Sequence, residues 1–471
     1  MVKYDEDLIK IIPSKRQLQI QQLEFYAFFH FTINTYTDRE WGDGTEDPRI
    51  FNPIHFDARQ WIQTIKKAGM KAAILTCKHH DGFCLWPSRY TNHSVAFSPY
   101  KEGKGDIVGE VAKACQEENI KFGVYLSPWD RNSLLYGTGE QYDDYFINQL
   151  TELLTQYGDI FCVWFDGACG EGKNGKKQDY DWERYYQLIR ELQPNACINV
   201  CGPDIRWCGN EAGHTRESEW SVVPKRLCIA EKVQENSQQE DNEEFRQRKI
   251  NNKDSDLGSR KALEKETELI WYPAEVDVSI RPGWFYHKED DARVKSHQEL
   301  LQIYFGSVGG NATLLLNIPP TPEGQLHHND VKRLEELGDF LDKTFQNNLL
   351  EQASLSVDGH NMIHTIDNVR EDSYETYYKQ ENNRNTAQIL IELPKDEMIS
   401  YVILKENITL SQRIEAFEIY AFNQQQWDCI YRGTVVGYKK IACLKPIRTN
   451  KLKINIIDSR VCPTLSFIGL Y

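Results

Sequence analysis

The sequence predicts a (β/α)8-like barrel followed by a C-terminal antiparallel β-sandwich, and three observations carry that expectation. Short apolar runs alternate with helix-length segments through the first two thirds of the chain, as βαβ units around a parallel sheet do. Several of those runs end on polar or aromatic residues. The clearest is Ile160-Phe161-Cys162-Val163-Trp164-Phe165-Asp166-Gly167, which stops on a carboxylate and a glycine. From about Asn347 the helical pattern ceases. Short alternating runs such as Ile389–Leu393, Tyr401–Leu404 and Ala416–Tyr420 are then spaced by turn residues alone, the texture of a sandwich. Residues 1–346 are therefore expected to form the barrel and 347–471 the sandwich.

Bulk properties narrow the function. A chain of 471 residues exceeds one ordinary core, and 40% hydrophobic with 27% charged content is that of a globular protein. The net charge of −15 argues against nucleic acid, whose phosphates need a basic face. No run of eighteen apolar residues exists, so no membrane partner is expected. The first residues lack the apolar core of a secretory leader, so the expectation is a cytoplasmic protein or one whose leader has been removed. Twelve cysteines are scattered, many within apolar runs and none as Cys-x-x-Cys, which reads as reduced, buried thiols.

Taken in order, the first strand is Phe25–Phe31, with His30 near its end and a polar loop holding Glu40 and Trp41 behind it. Asp57 is placed to cap a helix through Trp61, Ile62 and Ile65. Ala72–Cys77 is the second strand and runs into Lys78-His79-His80-Asp81-Gly82. A helix at Ile107–Cys115 leads to a third strand, Phe122–Leu126, which contains Tyr125. A helix at Gln141–Tyr157 precedes the strand ending at Asp166, and a helix at Trp182–Leu192 precedes a fifth strand at Ala196–Cys201. From Glu211 to Ala274 the alternation fails. Lys225–Glu268, dense in charge and amide groups, reads as a solvated insertion, helical in part or mobile. Val276–Ile280 leads to Trp284, and Ala312–Pro319 closes the barrel between helices at His297–Phe305 and Val331–Thr344. The Gly-rich loops that cradle nucleotide phosphates are missing, and no cofactor is expected.

The strand exits gather imidazoles, carboxylates and aromatic rings without a lysine cluster. This inventory suits sugars, whose C–H faces pack on rings while polar groups fix hydroxyls. Two carboxylates can supply the acid and the nucleophile of glycoside hydrolysis. Each residue also has a bland role. Asp166 can cap its own turn, Glu211 can be a solvated loop charge, and Trp41, Trp86 and Trp129 can be core. His79 and His80 could ligate a metal, but neighbours leaving a strand point to opposite faces, so no metal is expected.

Phe29-His30-Phe31, Glu40-Trp41-Gly42, Lys78-His79-His80-Asp81-Gly82-Phe83, Gly123-Val124-Tyr125 and Trp164-Phe165-Asp166-Gly167 together resemble the α-L-fucosidases of glycoside hydrolase family 29. The resemblance covers roughly residues 15–345. Around Gln412-Arg413-Ile414 the tail resembles discoidin-like, galactose-binding sandwiches. It implies a retaining mechanism with Asp166 as nucleophile. The run from Gly202 to Glu211 resembles the branch cleaving α-1,3/1,4-linked fucose from Lewis-type glycans, which makes Glu211 the acid/base, with Glu217 and Glu219 as competitors. By the same resemblance His30, Glu40, Trp41, His79, His80, Tyr125 and Trp284 hold fucose, and fucosylated oligosaccharides are the expected partners. Two other readings are a broader fucosidase with its acid elsewhere and a non-catalytic lectin.

Overall fold

The computed structural model describes residues 4–230, 255–359 and 361–471. Its centre is an eight-stranded parallel sheet. The strands are β1 (Phe25–Phe29), β2 (Ala72–Lys78), β3 (Lys121–Leu126), β4 (Ile160–Phe165), β5 (Cys197–Val200), β6 (Arg206–Trp207), β9 (Ala274–Ser279) and β10 (Ala312–Asn317). A small antiparallel pair, β7 (Val222–Pro224) and β8 (Leu269–Trp271), lies between β6 and β9 in the chain. The sheet order is β5-β4-β3-β2-β1-β10-β9-β6. A parallel bridge between Asn199 and Ile205 brings its two edges together, so the barrel nearly closes as expected.

Helices 58–67, 107–117, 140–156, 182–192, 297–307 and 328–345 pack around it. Asp57, Asp106, Asp181 and Ser296 each accept a first-turn amide through the side chain, satisfying an otherwise orphaned donor.

Strand alternation decides what the barrel encloses. Phe25, Ala27 and Phe29 join the core under the helices, whereas Tyr26 and Phe28 join an inner cluster with Ile74, Tyr125, Cys162, Trp164, Cys197 and Leu315. Continuing each inner row by two residues reaches His30 from Phe28, Asp166 from Trp164 and Asn317 from Leu315. Apolar rows thus deliver polar side chains to the mouth formed by the C-terminal strand ends.

Two sequence expectations need correction here. The sixth strand is the two-residue β6, lying ahead of Glu211 rather than lost in the irregular stretch. The chain passes from β5 to β6 without an intervening helix. The charged stretch 225–268 is not uniformly solvated, because Leu257 and Leu263 are buried and Arg260 pairs with Asp5 and Asp458. Its residues 231–254 lie outside the described residues.

The C-terminal region is antiparallel. Its main sheet runs β11 (Ser354–Val357), β13 (Ala387–Lys405), β16 (Lys440–Ser459), β14 (Ile414–Asn423) and β15 (Gln426–Gly433), with β18 (Phe467–Leu470) also on β13. β12 (Tyr378–Lys379) pairs with β17 (Thr464–Leu465). Register shifts between Glu392 and Glu397 and between Ile399 and Tyr401 break β13 into halves, β11 pairing the first and β18 the second. Ile403 and Ile441 enter the barrel's own core cluster, so the two parts share apolar packing. All twelve cysteines are free thiols, nine of them buried. No described helix is long and apolar enough to cross a membrane.

Candidate active site

Asp166 stands one residue beyond β4 with its side chain about 25% exposed, so a ligand in the mouth can reach it. One carboxylate oxygen accepts from the Tyr125 hydroxyl at 2.9 Å and the other from the Ala168 amide at 2.8 Å. Tyr125, expected to hold sugar, is fully buried and spends its hydroxyl on Asp166. Its direct effect is to fix that carboxylate. The turn-capping role foreseen for Asp166 is also real, since the Ala168 bond is such a cap.

Three imidazoles line the same hollow. His30 Nδ1 lies 2.8 Å from Asn317 Oδ1, and its ring is 5.1 Å from Trp284 and 5.7 Å from His79. His79 and His80 lie just past the end of β2, where strand alternation no longer applies. Their rings are 4.0 Å apart, which corrects the expectation that adjacent histidines diverge. His80 Nδ1 is 2.7 Å from Ser127 Oγ, and its Nε2 is 3.8 Å from Asp166. Burial pushes His30 and His80 down to about 4 and His79 well below its usual value, so all three are neutral near pH 7. A neutral imidazole offers one donor and one acceptor, which suits hydroxyl groups.

Ligand atoms of His79, His80 and Asp166 also lie within 4.8 Å of one another, the one such group among the described residues.

Glu211 sits on the loop between β6 and β7. Its carboxyl is pushed well above the usual range, first by burial, then by the negative charges of Asp277 and Asp166, while a hydrogen bond with the Trp284 side chain opposes the rise. The Asp166 charge is thus close enough to Glu211 to oppose its ionisation. The two rival glutamates stand elsewhere. Glu219 is buried against Arg206 and Arg216, which hold its carboxyl below the usual range despite burial. Glu217 is exposed, and its carbonyl accepts from Thr434 of the C-terminal region at 3.1 Å.

Glu40 and Trp41 approach from the loop after β1. The Glu40 carboxylate accepts the amides of Trp284 at 2.8 Å and Phe285 at 3.2 Å, and His287 Nε2 lies 2.7 Å away. A Cβ on Gly283 would stand 2.3 Å from Glu40 Oε1, so glycine is required there. The Trp41 ring meets His80 at 5.2 Å and Trp129 at 5.5 Å, edge to face. All nine sequence-nominated residues thus join one connected cluster. Trp86 does not, because it is buried and donates to Glu152 at 2.8 Å. Trp220 lies under the Arg460 guanidinium, 4.0 Å from its ring centre.

Asp277 and Glu275 carry no role in the expectations from sequence. Both lie on β9 between apolar neighbours that join the core under the helices, so alternation groups them on one face, which only barrel closure makes an interior. Glu275 accepts from Trp164 at 2.7 Å, Asn199 at 2.8 Å and Tyr26, a fully partnered acid beneath the site. Asp277 accepts from the Trp207 indole at 2.7 Å and is pushed up to about 8, chiefly by burial.

Residues 14–345 match the family model described as alpha-L-fucosidase. The Arabidopsis thaliana protein named Alpha-L-fucosidase 1 is 39% identical over 98% of this chain and 87% of its own length. A candidate alpha-L-fucosidase from Bacteroides ovatus, solved by crystallography, superposes with a TM-score of 0.86 at 45% identity, covering 99% of this chain and 75% of that one. A Ruminococcus gnavus GH29 fucosidase in complex with fucose superposes with a TM-score of 0.83 at 30% identity, covering 98% and 95% respectively.

Proposed function

Because the chain belongs to the alpha-L-fucosidases of glycoside hydrolase family 29, we propose that it removes α-1,3/1,4-linked fucose from Lewis-type glycans with retention of configuration. Catalysis is assigned to residues 1–346, and 347–471 form a second unit. What supports the mechanistic part is the pair of carboxyl groups: Asp166 reaches the mouth from the end of β4, where a ligand can reach it, and Glu211 hangs from the loop after β6 with its carboxyl pushed above the usual range by burial and by Asp277 and Asp166. That is the division of labour a retaining glycosidase needs.

In this reading fucose lies in the mouth with its hydroxyls on His30, Glu40, His79 and His80, and Trp41 and Trp284 flank the ring. Glu211 gives its proton to the departing glycosidic oxygen. Asp166 attacks the anomeric carbon as a carboxylate, steadied by Tyr125 and the Ala168 amide, and a glycosyl-enzyme forms. Water, deprotonated by Glu211, then releases fucose, so the second inversion restores the original anomer.

NMR of the first product formed from a Lewis trisaccharide tests retention. α-L-fucose appearing before mutarotation supports it, and β-L-fucose refutes it. On the same panel, α-1,3/1,4-linked substrates should be consumed in preference to α-1,2-linked ones and to simple aryl fucosides. Asp166→Asn should lower kcat by at least about a thousandfold while fucose still binds. Near-wild-type turnover would remove Asp166 from the nucleophile's role.

A further inference from the structure

The loop that carries Glu211 is held at its far end by the C-terminal region. Gln412, fully buried, accepts the Ser221 amide at 2.9 Å through its side-chain oxygen and donates to the Glu219 carbonyl at 3.2 Å through its nitrogen. Asn311 donates to that same carbonyl at 2.8 Å and accepts the Tyr438 amide at 2.7 Å, so the barrel and the C-terminal region grip one point together. The Arg460 guanidinium lies on the Trp220 ring, and Thr434 holds Glu217.

From this anchor the loop is braced back toward Glu211 by its own polar groups. Glu219 binds Arg206 and Arg216, Arg216 donates to the Cys208 carbonyl at 2.8 Å, and Asn210 donates to the His214 carbonyl at 2.9 Å. The Gln412-Arg413-Ile414 stretch, which in sequence resembled a sugar-binding module, is committed to this work. The Arg413 and Ile414 amides donate to buried Glu406, and Gln412 reaches across to the barrel.

We propose that the C-terminal region is a clamp on the acid/base loop and that Gln412 is its positioning residue. The proposal rests on Glu211 being the acid. A buried amide making two bonds across a boundary fixes where residues 219–221 sit, and the Glu219 ion pairs carry that position to the Glu211 segment. Loss of the clamp lets Glu211 drift from the leaving oxygen while Asp166, anchored on β4, stays in place. Displacements of that kind cost catalysis far more than they cost folding.

The experiment compares kcat/KM for a Lewis trisaccharide, whose leaving group needs a proton, with that for an aryl fucoside whose phenolate leaves unaided. Gln412→Ala is expected to lower the trisaccharide value by about ten- to a hundredfold and the aryl value by less than about threefold. Hydrogen exchange in peptides from 208–221 should quicken while the barrel strands stay protected. Equal loss on both substrates, or no loss on either, overturns the clamp. Glu211→Ala is measured alongside. If it lacks the leaving-group bias, the acid assignment fails. If it shows the bias and Gln412→Ala does not, the clamp alone fails. Should Gln412→Ala not fold, Thr434→Val decides by the same ratio and the same peptides, since that bond lies on the surface. A ratio and exchange unchanged from wild type overturn the proposal.

Discussion

Asp277 places a second acid beside Glu211, held by the Trp207 indole and pushed up to about 8 chiefly by burial. Its negative charge is the first electrostatic reason, after burial, for the high Glu211 value. The sign of the consequence is fixed. Glu211 works as an acid only while protonated, so activity on poor leaving groups falls as pH rises through its folded pKa. Removing the Asp277 charge stabilises the Glu211 anion and lowers that pKa. Asp277→Asn should therefore move the basic limb of kcat/KM for a Lewis trisaccharide to lower pH. The limb for an activated aryl fucoside should move less. An unmoved trisaccharide limb would show that the two acids are not coupled. Asp166 was legible because its strand ends abruptly on a carboxylate. Asp277 was not, since polar residues alternating with apolar ones, as Glu275, Asp277 and Ser279 do along β9, usually mark a solvent-facing side. Only the closed barrel makes that side an interior.

At the scale of elements, the segment after β9 shows how a loop can be set as firmly as a strand. Its Trp284 and Phe285 amides end on Glu40, and His287 bridges Glu40 and Asp38 with nitrogen–oxygen distances of 2.7 and 2.6 Å. These contacts, the Glu40 hydrogen bond first, raise His287 to about 9. A raised imidazole stabilises the fold fully below its ordinary value of about 6.5, and that contribution is lost as pH rises through about 9. His287→Gln should thus lower Tm by about 2–4 °C at pH 6 and by progressively less toward pH 9.5, because the wild type loses its advantage over that range. Thermal scans at four or five pH values test this, and a Tm gap that does not change with pH would refute it. The Glu40-Trp41 pair was recognisable in sequence only through the family resemblance, because a polar loop carries no periodicity. β6 escaped for a related reason, since two residues cannot show alternation. The longer strands and capped helices were readable because each had a full period to display.

Across the whole molecule, an acid of the barrel, Glu24, gathers one of the polar clusters that join the barrel to the C-terminal region. Glu24, just ahead of β1, accepts from Lys405 at 3.2 Å, the Tyr438 hydroxyl at 2.7 Å and Lys439 at 2.7 Å, and its carbonyl receives the Leu314 amide of β10 at 2.8 Å. Lys405 is shared with Asp372 at 2.6 Å. Burial alone would raise the Glu24 carboxyl, but the nearby ammonium groups outweigh it and hold the group far below the usual range. Such an arrangement is costly to break from one side: Lys405 would keep Asp372, but Lys439, mostly buried, would lose its carboxylate, and stripping one partner from a buried pair costs about 3–5 kcal/mol. Glu24→Gln keeps the shape and removes the charge, so it should destabilise the protein by about that amount near pH 7 and loosen the C-terminal region. The pH dependence has a definite sign. A depressed carboxyl contributes stability in full above its unfolded value of 4.5, and the contribution is lost as pH falls from there toward the folded one. Denaturant titrations of wild type and Glu24→Gln should accordingly differ most at neutral pH and converge as acid is added below about pH 4.5. A constant difference across that range would mean that the lysines are satisfied without the Glu24 charge and that the remaining contacts, Ile403 and Ile441 among them, hold the two parts together.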